Sequence, residues 1–153
     1  MNITDEVLAN VARRGDRALS RAQLRQGMTF SEVIGAVEDA LDFRLSVVPE
    51  TDTSGWGTLT GYLTYYPDRR ESHVHVRASD SPLYSQFAAC HELGHLLDDV
   101  HCTGALHERS SIPAGINDAL TKPQLEAELV AEYVAHRIAR MMYTSPRVAE
   151  LSW

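Results

Sequence analysis

The stretch from Ser81 to Asp98, SPLYSQFAACHELGHLLD, constrains the fold more than any other part of the chain. Ser81 followed by Pro82 is a helix opening, an N-cap with proline at the first helical position. At 100° per residue, Leu83, Ala89, Cys90, Leu93, Leu96 and Leu97 gather on one side, which must be buried. Tyr84, Phe87, His95 and Asp98 lie within about 40° of His91 on the other side. Two core histidines would stand among the leucines; these two do not. A shuffled chain of the same composition yields the H-E-x-x-H pattern of His91-Glu92-Leu93-Gly94-His95 only roughly 0.02 times.

Histidines at i and i+4 on a helix point the same way and can share one zinc ion. Glu92, about 100° further round, is placed to hold the attacking water rather than the metal. A catalytic zinc needs a third protein ligand, and two candidates compete. Glu128 lies on a later helical stretch, where Glu132, Ala135 and Ala139 share its face while Val130, Val134, Ile138 and Met141 form the core side. A carboxylate on a stripe of alanines predicts close approach to another helix, with Glu126 on the opposite, solvated side. His101 would complete the three-histidine spacing of a metzincin. That pattern wants glycine where this chain has Asp98, and a methionine in a downstream loop, whereas Met141 and Met142 fall in the last helix.

Around these residues the pattern predicts an α+β domain. Residues 1–28 read as an N-terminal helical segment, with Thr4 as N-cap and Gly15 as a break. The core spans 29–145 of a single domain covering 1–153. It opens with a capping box at Thr29-Phe30-Ser31-Glu32. Strands follow at 43–48, 58–66 and 73–77, giving a small, mainly antiparallel sheet of about three strands. That sheet is expected to pack on the helix from 82 to about 98 and on a long C-terminal helix carrying Glu128, opened by Thr121 and Pro123. Residues 100–120 read as a loop.

A net charge of −7 argues against nucleic acid as the main partner. No apolar run approaches the roughly 18 residues that suggest a membrane span. The first residues carry neither a basic nor an apolar leader region, and two cysteines are too few for a disulfide framework. The expectation is a cytoplasmic, reduced protein.

The run Phe87-Ala88-Ala89-Cys90-His91-Glu92-Leu93-Gly94-His95-Leu96-Leu97 resembles the active-site helix of the ImmA/IrrE-type zinc metallopeptidases, gluzincin-like proteins of bacteria. Glu128-Leu129-Val130-Ala131-Glu132-Tyr133-Val134-Ala135 is similar to that family's later helix, with Val134-Ala135 in place of Phe-Ala. The resemblance covers roughly residues 29–145. It implies that Glu128 is the third zinc ligand and that Glu132 orients a zinc-bound histidine, where the family has Asn or Asp. Asp99 stands where the family often has histidine. The implied activity is a regulatory endopeptidase with Glu92 as general base, cleaving a protein such as a helix-turn-helix repressor. Many relatives carry a helix-turn-helix domain; here the DNA-binding part is expected in a separate protein. The competing expectation is a zinc-containing module that docks to a regulator without cleaving it.

Other residues have more ordinary readings. His73 and His75 alternate on one strand and are expected on an exposed sheet face. Cys90 is expected to be a buried thiol. His107 and His136 could each donate to a developing oxyanion. Arg14, Arg17, Arg21 and Arg25 form a helical stripe read as a solvated face, or else as a docking surface for an acidic partner.

Overall fold

A computed structural model describes residues 3–98 and 121–143. Its described part is α+β, with four helices and one three-stranded mixed sheet. The helices are α1 (Asp5–Arg21), α2 (Phe30–Leu41), α3 (Pro82–Asp98) and α4 (Lys122–Tyr143), and the strands are β1 (Arg44–Glu50), β2 (Gly61–Tyr66) and β3 (Glu71–Arg77). No helix among the described residues is long and apolar enough to cross a membrane. His101, His107, Asp99 and the expected loop 100–120 lie outside the described residues.

Local chemistry sets each helix start. The Thr4 hydroxyl accepts from the Val7 amide at 3.3 Å, and Thr29 accepts from the Glu32 amide at 3.2 Å. Ser81 accepts from the Tyr84 amide at 3.3 Å. At α4, Thr121 accepts from the Gln124 amide while the Gln124 side chain accepts from the Thr121 amide, a reciprocal capping box. At the end of α2, Asp42 takes a left-handed conformation with φ 55°, which closes the helix and turns the chain into β1.

The expected mainly antiparallel sheet is corrected to a mixed one. Its strand order is β1-β3-β2, with β1 parallel to β3 and β2 antiparallel to β3. The connection from Thr51 to Thr60 is too long for a tight hairpin, so β2 lies one strand away from β1. The short turn through Pro67–Arg69 then returns β3 into the gap. The first strand, expected to stop at 48 before Pro49, runs on through Pro49 to Glu50, because β1 is an edge strand where a missing N–H is tolerated. One sheet face, carrying Leu45, Leu63, Ser72, Val74 and Val76, is buried toward the helices.

The core face of α3 is as expected for Ala89, Cys90, Leu93, Leu96 and Leu97, all buried. Leu83 departs from it at 59% exposure, because it lies in the first turn of the helix. Burial pushes the Cys90 thiol up to about 12, so it behaves as a small apolar group. On α4, Val130, Val134 and Ile138 are buried, while the last core methionine is Met142 rather than Met141.

Gly15 does not break α1. It is buried, and a Cβ there would collide with the ring of Tyr133 on α4. Together with Val11, Ala18 and Ala22 it forms a seam of small residues, so the N-terminal helix is packed into the structure.

The helices α3 and α4 come into tight contact at Gly94. A Cβ on Gly94 would stand 2.8 Å from both the Cα and the O of Ala131, which are main-chain atoms that cannot swing aside. Gly94→Ala is therefore expected to lower stability by about 1–3 kcal/mol, the usual range for overpacking. Urea titration should show a lower midpoint at an unchanged slope. A wild-type midpoint would show that the two helices are not held in contact here.

Candidate metal centre

That close crossing of α3 and α4 brings three donor groups together. His91 and His95 project from α3 toward α4, and Glu128 projects back from the second turn of α4. His91 Nε2 lies 3.0 Å from Glu128 Oε2 and 3.3 Å from His95 Nε2. His95 Nε2 lies 3.5 Å from the same Glu128 oxygen. His91, His95 and Glu128 thus form a cluster that could hold a metal ion. Among the described residues no other such cluster occurs.

His95 is buried at 5% exposure even though it faces away from the apolar side of α3, because α4 covers it. Glu132 sits one turn beyond Glu128, and its Oε2 accepts from His91 Nδ1 at 2.9 Å. A carboxylate can only accept, so Nδ1 carries the hydrogen and Nε2 is the nitrogen turned toward the cluster. Burial opposes a positive charge on His91. The hydrogen bonds to Glu128 and Glu132 outweigh it and push the ring up to about 9. The Glu132 carboxyl is held low, chiefly by its bond to His91. Two carboxylates gathered on one imidazole make this spot attractive to a cation.

Glu92 is outside the triplet. It is only 3% exposed and lies beneath the start of β2, where a Cβ on Gly61 would be 3.6 Å from Glu92 Cγ. The strand passes over the glutamate without a side chain between them. Nothing in the sequence pointed to Gly61.

The other histidines among the described residues stand apart from the triplet. His73 and His75 share the sheet face away from the helices, but the expected exposure is corrected for both: His73 is half-buried and His75 buried. Its ring is stacked on Tyr62 with centroids 4.3 Å apart, its Nδ1 bonds Glu50 at 2.8 Å, and its Nε2 meets the Thr64 hydroxyl at 2.9 Å. His73 bonds Glu71 at 2.8 Å. His136 is exposed, 3.3 Å from the second oxygen of Glu132, with its ring against Phe87.

Two expectations about charge are corrected. Arg14 is half-buried rather than solvated, pairing with Asp98 at 2.6 Å, whereas Arg17, Arg21 and Arg25 are exposed as expected, Arg21 also donating to the Leu97 carbonyl at 2.8 Å. Glu126 is not a solvated acid, since Asn10 donates to it at 3.2 Å and Arg14 lies 3.5 Å away.

Compared with known proteins, the chain matches no family model and no curated protein.

Proposed function

We propose that the protein is a zinc-dependent endopeptidase of the ImmA/IrrE type, with His91, His95 and Glu128 as the metal ligands. The observation that carries this reading is the spacing of the three donors. Ligands bound about 2.0–2.1 Å from a tetrahedral zinc are about 3.3–3.4 Å from one another. The separations of 3.0, 3.3 and 3.5 Å bracket that value. Two imidazoles and one carboxylate are also a donor set of catalytic zinc sites, which leave one position open.

When bound, zinc supplies Lewis acidity, polarising a peptide carbonyl and bringing the pKa of water toward about 7. The chain's own groups do the rest. Glu132 fixes the His91 ring so that Nε2 faces Glu128 and His95, the residues that would hold the ion with it. Glu92 takes a proton from the attacking water onto its carboxylate and returns it to the departing amine. Its cover by β2 keeps that carboxylate away from bulk solvent.

The substrate class follows from the resemblance: a protein, with a helix-turn-helix repressor as the first candidate, cleaved in the cytoplasm. Nucleic acid is not a direct partner on this reading, in line with the net charge of −7. The test is elemental analysis of protein reconstituted at neutral pH, beside cleavage of a repressor encoded next to the gene. One zinc per chain and cleavage abolished by a chelator are expected. Absence of zinc after reconstitution would overturn the proposal.

A further inference from the structure

We infer that Arg14 of α1 is a positioning residue for the metal centre, tying together the two helix ends from which His95 and Glu128 project. The inference rests on the reading of that cluster as a zinc site. Arg14 addresses Asp98 through a fork, with Nη2 donating to Oδ2 at 2.6 Å and Nε to Oδ1 at 3.3 Å. Its remaining arm, Nη1, lies 3.5 Å from Glu126 Oε2.

The places of those two acids give the guanidinium its role. Asp98 is the last residue of α3, three positions after His95, and its side chain is only 7% exposed. Glu126 stands two positions before Glu128 in the first turns of α4 and is 19% exposed. One cation therefore bridges the end of one ligand-bearing helix and the start of the other. Asn10 adds a bond to Glu126, and Arg21 satisfies a terminal carbonyl of α3. The seam of Val11, Gly15 and Ala18 seats α1 so that this polar edge cannot drift.

Removing the guanidinium leaves two poorly solvated carboxylates facing the same space with no cation between them. Breaking such a pair costs more than the pair itself contributes, because a charge is left buried and uncompensated. Their repulsion loosens the junction between the end of α3 and the start of α4, on which the His95–Glu128 separation depends. The expected consequence is weaker metal binding without loss of any ligand.

The experiment is competitive chelator titration of zinc into the full chain, with far-UV circular dichroism as the check on folding. Arg14→Ala is expected to weaken zinc binding by about 10- to 100-fold, the range known for groups that orient ligands. Adding Glu126→Gln to Arg14→Ala is expected to recover much of that loss, since it removes the repulsion without restoring the ion pair. Arg17→Ala, on the exposed side of α1, serves as the unaffected comparison. The visible bands of cobalt(II) in the site should shift in Arg14→Ala and return toward wild type in the double variant. If Arg14→Ala does not fold, Arg14→Gln, which lacks the charge but retains a donor, carries the same expectation. Folded protein with wild-type affinity in either Arg14 variant, or no recovery on adding Glu126→Gln, would overturn the role given to Arg14. A wild-type chain that takes up no zinc would instead overturn the metal-centre reading itself.

Discussion

Glu92→Gln is expected to keep zinc and the fold while slowing peptide cleavage by about 10²- to 10⁴-fold, the contribution of a positioned acid–base group. The substitution is nearly isosteric, which matters because Glu92 is buried beneath Gly61 with little space to spare. What changes is chemical: an amide cannot accept the proton of the attacking water. The loss should appear in kcat and in kcat/KM alike, since the proton is in transit only in the transition state. Cleavage of the repressor at the wild-type rate by zinc-loaded Glu92→Gln would rule out the mechanism. A module that acts by docking alone predicts a different pattern, in which the repressor is released by wild type and variant equally, with no peptide bond broken.

Glu128→Ala removes the carboxylate corner of the triplet and is expected to weaken zinc binding by more than about 100-fold, beyond the range for groups that only orient ligands. Glu132→Ala should fall within that range, about 10- to 100-fold, because it frees the His91 ring to rotate without removing a donor. His101→Ala is expected to bind zinc as wild type does. Glu126→Ala is unsuitable as a silent comparison, since Glu126 is engaged by Asn10 and Arg14. Asp68, exposed in the turn between β2 and β3, serves better. Chelator competition on the set decides the matter: retained zinc in Glu128→Ala with loss in His101→Ala would move the protein to a metzincin-like ligand set.

What was legible in the sequence follows the range of the interactions. The caps at Thr4, Thr29, Ser81 and Thr121 involve partners three residues away, so each could be read from a few letters. The paired histidines and the apolar stripe behind them come from one helix and its fixed period. The choice between parallel and antiparallel pairing for β1 had no such local mark, because its partner β3 is reached only past β2. Gly15 looked like a helix break for the same reason: its partner, the Tyr133 ring, is supplied by a distant helix. In the arginine stripe Arg17, Arg21 and Arg25 are exposed as expected, and Arg14 alone departs from that reading. Arg14 and Asp98 are 84 positions apart, and nothing in the local pattern separates an arginine facing water from one facing a distant acid.

The bare crossing of Gly94 on Ala131 also bears on which ions the site admits. At that point main chain rests on main chain, with no side chain between the two ligand-bearing helices. If the cluster holds zinc as proposed, that contact helps to keep the donors at the spacing that bonds of about 2.0–2.2 Å to nitrogen and oxygen require. Calcium prefers bonds of about 2.3–2.6 Å and at least six oxygen donors, so it would need the helices to part. On the zinc reading a larger ion would then be disfavoured through a glycine that is not itself a ligand.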